Sequence, residues 1–297
     1  MLVYWAFLAG AYLARMVPLR VSYGLARLVG GATYYAWGGG RRRCIQNMRH
    51  VTGGDERAAR RYARASLANY LVYLVDFFRV IGTNADEIRA RVRGDDWERI
   101  RDERTGRGIV AMTMHYGNWD LGGAILALHG LSVAAIADRF DNPRVNRYVL
   151  GSRQHLGMKI IPADRMGPGL IRALRNNDAV AVLVDIPAPE SGIRVTFFGD
   201  TIAVPDGPAR LALRTGAGIV AGVVVRHARW DDGVRLEAAA ITFDRTGDEG
   251  VDAQALTQAV FAHFEQFIRR DPSQWYIFRN LWPADARREA ETAAMAR

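Results

Sequence analysis

His115 and Asp120 stand four residues apart in the stretch His115-Tyr116-Gly117-Asn118-Trp119-Asp120. Imidazole titrates near neutral pH, and a hydrogen-bonded carboxylate fixes its tautomer and stabilises the imidazolium. The pair therefore suits general-base chemistry. Residues 108–114 are short, uncharged and apolar, which predicts a buried strand. Residues 121–128 have a helical pattern, with Asn118 placed to cap the helix start. The histidine then ends a strand, and the aspartate lies in the first turn of the helix that follows. An acid in a first turn is also favoured by the helix dipole alone, so the pair needs support from the rest of the chain.

That support comes from a series of blocks in a fixed order. His115 to Asp120, followed by Leu121-Gly122-Gly123, resembles the H-x-x-x-x-D signature of glycerolipid and glycolipid acyltransferases, in the form found among lipid A late acyltransferases and phosphatidylinositol mannoside acyltransferases. Residues 138–147 (DRFDNPRVNR) resemble that family's Arg-Pro and Asn-Pro segment. Phe197-Phe198-Gly199 resembles its PFFG block, residues 207–217 its GpA-x-LA-x-x-TGA helix, and Pro272-Ser273-Gln274-Trp275-Tyr276 its closing P-x-QW-x-W. Asp185 stands at the family's D-x-D strand end. The chain departs from the pattern at Pro187, which replaces the second carboxylate, and at Ala137-Asp138, which replaces an aromatic before the Arg-Pro pair.

The resemblance implies transfer of a fatty acyl group from an acyl thioester, acyl-CoA or acyl carrier protein, to a hydroxyl of a lipid or glycolipid. Such a step needs a base for the hydroxyl proton, donors for the oxyanion and a means of aligning both substrates. His115 is the expected base and Asp120 its orienting carboxylate. Gly117 and Asn118 are expected to open a helix whose N–H groups meet a developing anion or a phosphate. By position in the family pattern, Asp138, Arg153 and Asp185 are expected to line the substrate site. No G-x-S-x-G elbow is present and Cys44 has no partner motif, so direct attack without a covalent acyl-enzyme is expected. His50, His129, His155, His227 and His263 show no paired ligand spacing, so neither metal nor cofactor is expected.

The elements needed to position these residues can be read from periodicity. Residues 56–80 predict a long helix with Leu67, Tyr70, Leu71, Leu74, Phe77 and Phe78 at helical spacing. Further on, strands are expected at 108–114, 132–137, 179–185, 193–198, 219–226 and 234–243, alternating with helices at 118–129, 142–156, 167–177 and 206–215. A closing helix is expected at 252–270. This alternation predicts a single α/β domain with a mostly parallel mixed sheet flanked by helices, preceded by N-terminal membrane-associating helices. The expected division is an apolar and basic anchor at 1–43, the α/β domain at 44–283 and a charged, frayed tail at 284–297.

Residues 1–14 carry no charge and include Tyr4, Trp5 and Tyr12, the aromatic content of an interfacial segment. They are shorter than the ~20 residues that span a bilayer. The net charge is +9, and residues 1–60 hold nine arginines against Asp55 and Glu56. Basic residues beside an apolar segment favour an anionic membrane surface over a nucleic acid. With Arg15 and Arg20 following the apolar run, the expectation is a monomer held on the cytoplasmic face of the plasma membrane. Two other readings remain at this point. One is a lysophospholipid or glycerophosphate acyltransferase, although that group's E-G-T-R block is absent. The other is a non-catalytic membrane-surface protein on the same scaffold.

Overall fold

In a computed structural model of the chain, residues 2–80, 83–104, 106–137, 141–162, 166–188, 190–227 and 231–295 are described. The order begins α1 (Leu2–Met16), α2 (Leu19–Ala36), α3 (Gly38–Val51), α4 (Glu56–Val80), α5 (Ala85–Arg91), β1 (Val92–Asp95) and α6 (Trp97–Asp102). It continues with β2 (Ile109–Thr113), α7 (Trp119–Leu128), β3 (Val133–Ala137), α8 (Pro143–His155), β4 (Met158–Pro162), α9 (Met166–Arg175) and β5 (Ala179–Leu183). Then follow β6 (Ile193–Phe197), β7 (Asp200–Val204), α10 (Gly207–Thr215), β8 (Gly218–Arg226), β9 (Val234–Ala240), α11 (Glu249–Arg270) and α12 (Pro283–Met295).

Seven strands form one sheet in the order β1-β9-β8-β2-β5-β3-β4. β8, β2, β5, β3 and β4 run parallel, while β9 is antiparallel to β8 and carries β1 parallel to itself. The mixed, mostly parallel α/β sheet expected from the sequence is therefore present. β2 lies at its centre, buried on both faces, which is why its sequence is an unbroken apolar run. Alternation along the strands feeds two cores: Val110, Met112 and Val223 pack in one, and Ile109, Val220 and Val224 in the other. From β2 the chain moves out through β3 and β4, then returns to insert β5 between β2 and β3. That return sets the end of β5 beside the end of β2.

The structure departs from the expected elements in four ways. The strand expected at 193–198 lies outside the main sheet and pairs with an unforeseen β7 as a hairpin. Its two-residue turn, Phe198-Gly199, has positive φ at both residues (51° and 84°), the geometry that matches hairpin twist. β1 and β4 were also unforeseen; both are edge strands, where charged residues and Pro162 are tolerated and mask the strand pattern. The boundary expected at residue 43 falls inside α3, and α2 buries Tyr23 and Ala26. Residues 284–297, expected to fray, form α12 as far as Met295. Its start is held by His50, whose Nδ1 meets Asp200 at 2.7 Å and Nε2 meets Asp285 at 2.9 Å while the ring stacks on Trp282 at 3.9 Å. Arg43 pairs with Glu289 at 3.0 Å, so this arginine of the 41–43 cluster is engaged with the fold.

Candidate active site

Parallel pairing of β2 with β5 aligns Thr113 with Leu183, so two residues further on His115 faces Asp185. The Asp185 carboxylate is fully buried and accepts three hydrogen bonds. The His115 backbone N–H donates to Oδ2 at 2.9 Å, the Trp275 indole N–H to Oδ2 at 3.1 Å, and the His115 Nδ1 lies 2.8 Å from Oδ1. A carboxylate only accepts here, so Nδ1 carries the proton and Nε2 presents its lone pair. The His115 side chain is 27% exposed, which leaves the ring reachable. Trp119 packs edge-on against the imidazole, with centroids 5.3 Å apart.

The backbone around the ring is held by a short ladder. The Tyr276 N–H donates to the His115 carbonyl at 2.8 Å, and the Gly117 N–H donates to the Gln274 carbonyl at 2.9 Å. Gly117 turns the chain at φ 61°, and a Cβ there would meet the Val224 carbonyl oxygen at 1.9 Å. Only glycine fits this crossing. The Asn118 N–H donates to Val224 at 2.8 Å, so the amides of Gly117 and Asn118 are both engaged within the fold. Asn118 is buried and structural: its Oδ1 accepts from the Leu121 N–H at 3.4 Å, capping α7, and its Nδ2 donates to Asp76 at 3.2 Å.

Asp120 does not touch His115. Its Oδ1 accepts from Arg153 Nε at 3.0 Å and Nη2 at 2.6 Å, and its Oδ2 accepts from the Tyr73 hydroxyl at 2.5 Å. Burial first, and then the adjacent Asp120, push the Tyr73 phenol well above its ordinary range, so it stays protonated and donates. Asp120 and Arg153, with Tyr73, thus join α7 to α8 and α4. Asp138 lies outside the described residues. Sequence reading missed Tyr73 and gave Trp275 no role; the closing Q-W block held the only signal for Trp275. Tyr73 lies outside the apolar stripe of 56–80, and its hydroxyl is aimed at a polar partner, Asp120.

Burial works to lower the His115 pKa, but the Asp185 charge and hydrogen bond outweigh it, and the net displacement is upward from the ordinary 6.5. Arg279 opposes the rise and Asp120 adds to it at a distance. A raised folded value means this pair stabilises the fold below the ordinary histidine range. The contribution is lost as pH rises through the raised value. Cys44 is buried, and burial pushes its thiol up to about 12, which makes it an inert core residue.

The different settings of the two aspartates lead to a prediction for Asp120→Asn. One asparagine oxygen cannot accept from both Arg153 and Tyr73, and a buried donor is left unpaired at a cost of about 1–3 kcal/mol. Thermal unfolding should show the loss. The acid limb of the pH–rate profile should stay close to wild type, because the carboxylate on the ring is Asp185.

The profile of the bacterial lipid A biosynthesis acyltransferase family matches residues 1–284. A phosphatidylinositol mannoside acyltransferase of Mycolicibacterium smegmatis is 27% identical over 286 residues, covering 94% of this chain and 91% of that protein. Proteins of the same name from two strains of Mycobacterium tuberculosis are each 29% identical over 293 residues, covering 95% of this chain and 89% of theirs. The match runs through the helices, the sheet and the strand-end histidine alike, and the chain is an acyltransferase belonging to the bacterial lipid A biosynthesis acyltransferase family.

Proposed function

We propose that this acyltransferase moves a fatty acyl chain from acyl-CoA or acyl carrier protein to a hydroxyl of a glycolipid, with a phosphatidylinositol mannoside as the acceptor class suggested by the names of its relatives. The observation that carries the reading is the His115–Asp185 contact at the carboxyl end of two parallel strands, the edge of an α/β sheet where ligands bind. His115 Nε2 takes the proton from the acceptor hydroxyl as its oxygen attacks the thioester carbonyl. The tetrahedral intermediate then expels the thiolate, which recovers that proton from the imidazolium, leaving an ester and a free thiol. Asp185 holds the ring and stabilises the imidazolium formed midway. No covalent acyl-enzyme is needed, and the buried Cys44 is unsuited to one. Thiol release from palmitoyl-CoA, assayed with phosphatidylinositol mannoside and with lysophospholipid as alternative acceptors, tests the reading. Turnover with the lysophospholipid alone would favour the glycerolipid alternative.

In this reading the reaction takes place at a cytoplasmic membrane surface. No helix among the described residues is long and apolar enough to cross a membrane. Instead, α1 exposes Trp5, Tyr12, Leu13 and Met16 along one face, and α2 exposes Val21, Leu25, Leu28 and Val29 along another. Such faces with basic neighbours, here Arg15 and Arg20, suit helices lying in the headgroup boundary. In the full chain, the pair Leu13→Glu and Leu28→Glu should abolish co-sedimentation with anionic vesicles at every salt concentration without loss of helix content. The wild-type protein should stay bound at high salt, when the arginine attraction is screened. Equal sedimentation of the two proteins would place the contact elsewhere.

A further inference from the structure

A cavity of about 970 Å³ opens between α2 and α4, lined by Arg27, Arg60, Arg61, Arg64, Arg226 and His227 on its basic side. Among the described residues, Asp271 is the only acidic one of its lining, and its carboxylate already accepts from Ser273 and Gln274. Arg60 pairs with Glu56 and Arg226 with Asp76. Arg61 and Arg64 instead lie over the rings of Tyr62 and Tyr35, at 4.8 and 5.5 Å from their centroids, and keep their charge for the cavity. Arg226 supplies a second observation. Its side chain is only 5% exposed, yet its buried Nη2 has no hydrogen-bond partner. Unpaired buried donors are costly, and guanidinium forks match phosphate oxygens.

We propose that this cavity binds the phosphate of an anionic phospholipid headgroup. Tyr35 decides between a lipid and a soluble phosphate ester. It lines the cavity and is also 62% exposed, alongside Leu28 and Val29, on the outer face of α2. A lipid whose chains lie along that face would bring its headgroup to the arginines. This lipid assignment rests on the proposed contact of α2 with a membrane. Through Gln274, the cavity also touches the ladder that holds His115 and Gly117, so an occupied headgroup site would fix the position of His115 relative to the bilayer.

The test uses soluble ligands, so that it does not depend on vesicle binding. Calorimetric titration of the full-length protein with monomeric short-chain phosphatidylglycerol is compared with titration by CoA and by inorganic phosphate, for wild type and for Arg61→Ala with Arg64→Ala. Both arginines are exposed and outside the catalytic machinery, and circular dichroism checks that helix content is retained. The lipid should bind the double variant about 10- to 100-fold more weakly, the scale of one or two lost charge-assisted hydrogen bonds, with CoA affinity unchanged. Equal lipid affinity in the two proteins would overturn the proposal. A loss confined to CoA or inorganic phosphate would overturn the lipid assignment in favour of a soluble phosphate site. Vesicle binding that fails while the short-chain lipid still binds would count against the membrane face alone, and not against this site.

Discussion

His115→Ala is expected to lower thioester-dependent acyl transfer by about 10²–10⁴-fold, the usual cost of a lost general base, while the protein stays folded. The folding half of this expectation comes from the ring's position. It is 27% exposed at the end of a strand, and the contacts that fix the turn are made by backbone: the His115 carbonyl with Tyr276 and the His115 N–H with Asp185. An alanine retains both. Thiol release from acyl-CoA in the presence of a phosphatidylinositol mannoside, read beside circular dichroism, checks the two halves together. A folded variant with more than about a tenth of wild-type turnover would remove His115 from the base role.

Asp185→Asn should be nearly as damaging, for a reason specific to its partners. Two N–H donors, from the His115 backbone and the Trp275 indole, converge on Oδ2, and Oδ1 faces the ring. An asparagine has one acceptor oxygen and will place it where two donors meet. Its NH₂ group then faces Nδ1, which must accept. The proton moves to Nε2, the nitrogen that has to take the hydroxyl proton, and the ring is held in the wrong tautomer. Loss of the orienting carboxylate in a comparable hydrolase arrangement costs about 10⁴-fold, and a drop of at least 10³-fold is expected here. Stability should fall by about 1–3 kcal/mol, since a charge-assisted acceptor is replaced inside the core. A variant that lost stability but kept turnover would reduce Asp185 to a packing residue.

The dyad partner was the part of the site least legible in the sequence. His115 and Asp120 stand out because they are close along the chain, and spacing alone favours Asp120 as the ring's partner. Asp185 is 70 residues from His115 and meets it only because β5 inserts next to β2. Periodicity finds a strand but does not give its neighbours. Likewise, apolar spacing in α4 signals burial, whereas Tyr73 and Asp76 are buried to reach Asp120, Asn118 and Arg226, partners that no local pattern announces. The central strands and the amphipathic helices were legible, since burial on one or two faces writes itself directly into residue order. The edge strands β1 and β4 and the docked α12 were not, because their sequences are shaped by solvent on one side and by a few specific polar contacts on the other.

The most direct test of the His115–Asp185 assignment is the acid limb of kcat/KM against pH, measured for the wild-type enzyme and for Asp185→Asn. This limb reports the base in the free enzyme. With the Asp185 charge outweighing burial, the wild-type limb should lie above the ordinary histidine value of 6.5. Without that charge, burial and Arg279 act with less opposition, and the residual activity of the variant should show its limb at lower pH. A limb unmoved by Asp185→Asn, or one that moved only in Asp120→Asn, would contradict the account.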